Sequence, residues 1–295
     1  MRKGLRTLFS SQLVLMSLFV VGCASQAPST NPAEVGETRP GSGYLKGYLV
    51  ADQMPNSLTL LPAPPAENSP EQAADKQVFE TQKALRKGAR GQMAFDDNNL
   101  KFPVAAGIFS CAMGLPISQE ATPHTNMLLR RTLLDAGLST YKAKNHYQRK
   151  RPFATFNETT CAPKEDAALA KDGAYPSGHA ALGWAWALVL SEIAPDKADS
   201  ILQRGYAFGQ SRVICGAHWQ SDVNAGRLVG SAAVAKLHSN STFLAQMAAA
   251  KVEIAEVREK ALKQKPDAAQ LARCEVESTA IANENSSGKP REKIN

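Results

Sequence analysis

Residues 176–194 read Pro-Ser-Gly-His-Ala-Ala-Leu-Gly-Trp-Ala-Trp-Ala-Leu-Val-Leu-Ser-Glu-Ile-Ala, and this stretch decides the fold class. From Ala180 the run stays apolar for eleven residues. That is too short to span a bilayer and too uniformly apolar for a surface helix, so it reads as a central, fully buried helix. A buried helix needs other helices to cover it, and the flanking sequence supplies them. Met127, Leu128, Leu134, Leu138 and Tyr141 recur at helical spacing between Thr125 and Tyr147. Further helices are expected from Pro70, over Lys197–Gln210 and His218–His238, and from about Thr242. Strand signals are weak throughout, so the expected fold class is all-α, a helical bundle.

Outward from this core, the chain has 295 residues, 43% of them apolar, enough for one large domain or two small ones. The amino terminus reads as an export signal. Arg2, Lys3 and Arg6 precede an apolar stretch, Leu13 to Val21, that is too short for a membrane span. It runs into Val20-Val21-Gly22-Cys23-Ala24, which resembles the lipobox of bacterial lipoproteins. On that resemblance Cys23 is lipidated and becomes the first residue. Ordinary cleavage after Ala24 or Ser25 is the alternative. Either route predicts an exported, periplasmic protein, and lipidation anchors it to the outer membrane, its only expected contact with lipid. The expected division is a signal peptide over 1–22, a flexible tether rich in small residues over 23–43, a main domain over 44–263 and a poorly ordered tail over 264–295.

Loss of residues 1–22 removes Arg2, Lys3 and Arg6 and takes the formal charge from +7 to +4. The basic residues are dispersed without interleaved aromatics, so no nucleic-acid partner is expected, whereas anionic small molecules fit. Beyond Cys23, the cysteines are Cys111, Cys161, Cys215 and Cys274. In an oxidising compartment this even set predicts two disulfides with three connectivities open, and its spacing matches no zinc site.

Three segments carry chemistry. Pro176-Ser177-Gly178-His179 stands just ahead of the central helix, where unpaired N–H groups and the positive dipole end suit an anion. Gly178 permits close approach of the backbone and Ser177 can donate a hydrogen bond; the alternative reading of Ser177 is a simple helix cap. His218 and Asp222, four apart, share a face if both lie on one helix. The carboxylate would fix the ring tautomer and free the other nitrogen to attack; a surface ion pair or part of a metal site fits the same spacing. Lys144 and Arg151, seven apart, would point to one side of a helix ended by Pro152, and with Arg212 they supply cations for phosphate oxygens. Their neighbours Arg149 and Lys150 read as solvated charge. No metal or cofactor is expected.

In chain order, Lys144 with Arg151-Pro152, then Pro176-Ser177-Gly178-His179, then Ser211-Arg212 with His218 and Asp222, resemble the three-part signature of the type 2 phosphatidic acid phosphatase superfamily. Residues 173–180 and 209–222, Leu61-Pro62 through Glu67-Asn68-Ser69, and Asp135 to Phe153 more narrowly resemble the class A bacterial non-specific acid phosphatases, a likeness covering about residues 45–255. Ala174 and Ala180 stand where that family usually carries hydroxyl residues. The resemblance implies a helical bundle of the acid phosphatase/vanadium-dependent haloperoxidase type, an acid phosphatase domain over 44–263, and a Cys161–Cys215 bridge. It implies metal-independent hydrolysis of phosphate monoesters (nucleotides, aryl and sugar phosphates) with an acidic optimum, by a protein that forms homo-oligomers. In that scheme His218 is the nucleophile that becomes a phosphohistidine, Asp222 orients it, and His179 is the acid and then the base. Lys144, Arg151, Ser177, the backbone of Gly178 and Arg212 hold the phosphoryl oxygens. Two other readings use the same residues: a vanadate-dependent haloperoxidase-like enzyme, and a non-catalytic anion-binding envelope lipoprotein.

Overall fold

Gly178–Ile193, the apolar run, forms the helix on which the others pack in the computed structural model, which describes residues 27–263, 265 and 267–287. In chain order the longer helices are α1 (Pro70–Gln82), α2 (Ala89–Asp96), α3 (Pro123–Leu138), α4 (Tyr141–Tyr147), α5 (Gly178–Ile193), α6 (Ala198–Ile214), α7 (Gln220–Leu237), α8 (Ser241–Ala261) and α9 (Ala268–Ser287). Among the described residues there is no sheet, only an isolated bridge between Glu37 and Leu45. The fold is all-α. No helix among the described residues is long and apolar enough to cross a membrane.

Helix α5 is flanked by α3, α6, α7 and α8. Val189 and Leu190 are fully buried, each contributing about 1.5–3 kcal/mol by leaving water. Trp186 is buried too, and its Nε1–H donates to Leu129 O at 2.9 Å, so its one polar atom is satisfied. The helix is not buried all round, as the sequence suggests it should be. Trp184 and Leu188 are half-exposed, and Trp184 donates to Ser231 Oγ at 3.0 Å. Helices α5 and α7 approach closely because Gly226 and Gly230 lie between them. A Cβ at Gly226 would fall 2.4 Å from Ser177 O, and one at Gly230 would fall 2.3 Å from Ala181 O. This contact brings the amino-terminal ends of the two helices together.

The single helix expected from Thr125 to Tyr147 is broken. Ser139 Oγ bonds back to Asp135 O at 2.6 Å and Thr140 Oγ1 to Gly137 O at 2.7 Å, closing α3 before α4 begins. Helix α4 ends at Gln148, which adopts the left-handed conformation with φ of 44°. Arg151 is extended, and Pro152 opens the next short helix, Pro152–Phe156, instead of ending one. Lys144 and Arg151 therefore lie on different elements. Likewise α7 starts at Gln220, so His218 precedes it.

Both ends differ from expectation. The expected signal peptide over 1–22 and Cys23 lie outside the described residues. Residues 27–43, expected as a flexible tether, carry a helical turn at Pro32–Val35 and a loop in which the Glu37 carboxylate accepts from the N–H groups of Ser42 and Gly43 at 3.1 Å each. The tail expected to be poorly ordered from 264 instead forms α9. A Cys111–Cys274 disulfide, an Arg90–Glu284 ion pair at 2.6 Å and an Arg204–Glu277 pair at 3.4 Å hold it, while Ala280 and Ile281 pack on Met93 and Ala207. The second disulfide joins Cys161 to Cys215, beside the loop that leads to His218.

Candidate active site

The starts of α5 and α7, the loops around Arg151 and His218, and side chains from α4 and α6 build the site. At the start of α5, Ser177 caps the helix, its Oγ accepting from Ala180 N at 3.3 Å, while its own N–H donates to Asp222 O at 2.9 Å. A Cβ on Gly178 would meet only Thr140 Oγ1 at 3.7 Å, ordinary contact, and Gly178 carries no left-handed backbone. The fold itself does not demand glycine there. His179 is largely buried and lies parallel to the Phe208 ring, their centroids 6.3 Å apart. Its Nε2 is 3.4 Å from the backbone carbonyl of Asn98. A carbonyl can only accept, so Nε2 carries a proton and Nδ1 is the second titrating position.

His218 is 2% exposed, and its Nε2 is 2.9 Å from Arg151 Nη1. A guanidinium only donates, so Nε2 holds the lone pair and the neutral ring carries its proton on Nδ1. That atom lies 3.5 Å from Asp222 Oδ2. Asp222 is fully buried three residues into the start of α7, and the same Oδ2 accepts from Trp219 N at 2.8 Å, pinning the first turn. The spacing of His218 and Asp222 thus works across a helix start, not along one helix face.

The cations converge from separate elements. Lys144, on α4, donates to Gly173 O at 2.6 Å. Arg151 is held by Leu169 O, Asp172 O and Ala217 O at 2.8, 3.0 and 2.9 Å. Arg212, on α6, is fully buried and donates to Asn98 Oδ1 at 2.5 Å. Its Nε and Nη2 have no hydrogen-bond partner among the described residues. Ser211, also part of the sequence signature, faces elsewhere: it donates to Asp97 Oδ2 at 2.6 Å and accepts from Arg90 at 2.9 Å.

Burial and this concentration of charge shift the two histidines, Lys144, Arg151, Arg212 and Asp222. Burial, then Arg151, Lys144, Arg212 and His179, hold His218 well below the ordinary histidine range. Burial, then Arg212, with Arg151 and Lys144 further off, do the same to His179. The two rings therefore share one cluster of cations. Burial and Arg151 bring Lys144 down to about 8 and Arg212 down to about 10. Burial pushes Asp222 up to about 6 despite the opposing pull of Arg149 and the Trp219 N–H.

Three residues here escape a sequence reading. Arg149, expected as solvated charge, is 8% exposed and bridges two helices. It donates to Asp222 Oδ1 at 2.6 Å, Ser221 Oγ at 2.7 Å, Gln72 Oε1 at 2.5 Å and Asp75 Oδ2 at 2.9 Å. Asn98 touches both Arg212 and His179. Asp172 pairs with both Lys144 and Arg151. None has a spacing signal; the Arg-x-Arg pattern of Arg149 and Arg151 is the nearest to one. Among the described residues no group of three or more His, Cys, Asp or Glu side chains is placed to hold a metal ion.

Comparison with known proteins gives a consistent picture. Residues 126–243 match the PAP2 superfamily, a span that includes Lys144, Arg149, Arg151, Asp172, Ser177, Gly178, His179, Arg212, His218 and Asp222. The chain is 45% identical over 251 residues to a non-specific acid phosphatase of Providencia stuartii, covering 83% of this chain and 100% of that one. It is 42% identical over 200 residues to a non-specific acid phosphatase of Salmonella typhimurium, covering 68% and 80%. An acid phosphatase of Zymomonas mobilis is 38% identical over 250 residues, covering 85% and 91%.

Removing the charge of Arg149 while keeping its bulk (Arg149→Met) leaves Asp222 and Asp75 buried without their shared cation. The expected cost is about 3–5 kcal/mol in urea unfolding, since one partner of a buried ion pair is stranded. Asp222 should then titrate above about 6, because the cation that lowers it is gone. Wild-type stability in this variant would show that the bridge contributes nothing.

Proposed function

The chain belongs to the non-specific acid phosphatases of the PAP2 superfamily, and we propose that it hydrolyses phosphate monoesters through a phosphohistidine formed on His218. The observation that carries the reading is the 2.9 Å contact from Arg151 Nη1 to Nε2 of a buried, neutral His218. It fixes the lone pair on Nε2 and turns it toward the cation, so an arriving phosphate must draw Nη1 away to one of its oxygens, and in doing so it frees the nitrogen that attacks phosphorus.

Lys144, Arg151, Arg212 and the first N–H groups of α5 hold the phosphoryl oxygens, with Gly178 keeping space for them. His218 Nε2 attacks phosphorus in line, the P–N bond forms, and the bond to the ester oxygen breaks. The leaving oxygen takes the proton from His179 Nδ1. Asp222, whose Oδ2 lies 3.5 Å from His218 Nδ1, offsets the charge that the ring acquires. In the second step His179, now neutral, takes a proton from water, whose oxygen attacks phosphorus. The P–N bond breaks and orthophosphate leaves. Charge spreads over the phosphoryl oxygens in a loose transition state, so positioned cations supply most of the acceleration.

The depressed ionisation of both rings gives the pH dependence its sign. His218 keeps its lone pair in acid because burial and three cations resist protonation. His179 feels the same cations, but a bound dianion offsets them and raises its affinity for a proton. Substrate thus charges the acid while the nucleophile stays neutral, which favours an acidic optimum. Substituting His218 with Ala should lower p-nitrophenyl phosphate turnover by about 10⁴-fold or more. His179→Ala should lower it by about 10²–10⁴-fold, and EDTA should leave the wild type unchanged. Near-normal turnover in His218→Ala contradicts the assignment.

We further propose that the protein is exported and anchored through a lipid on Cys23. The basic start, the short apolar run and the lipobox-like segment support this, and two disulfides suit an oxidising compartment. Cells given labelled palmitate should label the wild-type protein in the membrane fraction and not a Cys23→Ser variant. Equal labelling of both contradicts the anchor.

A further inference from the structure

Lys144 and Arg151 share one carboxylate at their contact with solvent. Asp172 Oδ2 lies 3.4 Å from Lys144 Nζ and 3.1 Å from Arg151 Nη2. The two cationic side chains are 3% and 2% exposed, whereas that of Asp172 is 36% exposed. Asp172 therefore sits at the mouth, between water and the cations. The cations do not depend on this carboxylate for their placement. The carbonyls of Leu169, Asp172 and Ala217 hold Arg151, and Gly173 O holds Lys144. The backbone of Asp172 can stay fixed while its side chain turns into solvent.

An arriving phosphate needs the same two charges. Taking up the phosphate site argued above, we propose that Asp172 is a displaceable counter-ion. It pairs with Lys144 and Arg151 when phosphate is absent, gives them up to the substrate, and competes with orthophosphate for them after hydrolysis. Its presence limits the electrostatic cost of keeping two like charges together in a buried site. It also weakens every anion that binds there, which makes it a determinant of substrate affinity and product inhibition. Asp222, Arg212 and the Tyr141 phenol face the same cluster, but none of them pairs directly with both cations.

The sign of one substitution separates this role from a merely positioning one. If Asp172 competes, Asp172→Asn tightens phosphate; if it positions the cations, the same change loosens it. The test is competitive inhibition by inorganic phosphate, read with p-nitrophenyl phosphate at one acidic pH on the full mature chain. Asp172→Asn should lower the phosphate inhibition constant roughly three- to tenfold, with KM moving in the same direction and with a lower melting temperature that added phosphate restores. Asp172→Ala, which removes the carboxylate without an amide replacement, should give the same sign, and Asp172→Glu should restore values near wild type. Unchanged or weaker phosphate binding in both Asp172→Asn and Asp172→Ala overturns the proposal. Arg151→Ala serves as the control on the site itself: it must weaken phosphate, and if it does not, the anion site is misassigned irrespective of Asp172.

Discussion

Three cations buried beside two neutral imidazoles are the constraint to which the rest of the structure is fitted. Lys144, Arg151 and Arg212 are 3%, 3% and 0% exposed. Charges of one sign in so little water repel each other and lose hydration, a cost met only when an anion or well-placed acceptors answer them. The fold answers with backbone carbonyls for Arg151 and Lys144 and with Asn98 for Arg212. It leaves two nitrogens of Arg212 unpaired, which is the feature of an anion site and not of a finished core.

Apart from Asp172 on the solvent side, the opposite charge is kept one layer back. Asp222 is fully buried but committed: one oxygen takes Arg149, the other takes the Trp219 N–H and faces His218. Arg149 in turn is shared with Asp75 from α1, so a helix more than seventy residues earlier helps to fix the carboxylate behind the His218 ring. The close glycine contact between α5 and α7 sets the distance over which these groups meet. A larger residue at Gly226 would push Ser177 away, and with it the first turn of α5, which carries His179. Packing and chemistry are coupled through that single approach.

Much of this is legible in the sequence, and the exceptions have physical causes. The apolar run from Ala180 announces a central helix because no other environment accommodates it. The ordered motifs name the groups that converge, since each bears a side chain suited to phosphate. The route by which they converge is not legible. Ser139 and Thr140 close α3 with side-chain hydrogen bonds that no periodicity reveals, and Gln148 turns the chain in a conformation usually left to glycine or asparagine. Arg149, set between Gln148 and Lys150, looks like surface because its partners Gln72 and Asp75 are remote in sequence. Helix α9 was hidden for a similar reason: its polar sequence is held by a disulfide and ion pairs to distant residues, not by a broad apolar face.

The proposed mechanism requires phosphorus to be bonded to His218 during turnover. Brief mixing of the wild-type protein with ³²P-labelled substrate, quenched in alkali so that a phosphoramidate survives, followed by peptide mapping, tests this directly. The expected result is a label on the Nε2 of His218, formed and lost at rates that match turnover. An active preparation that yields no labelled protein, or one labelled at another residue, would contradict it.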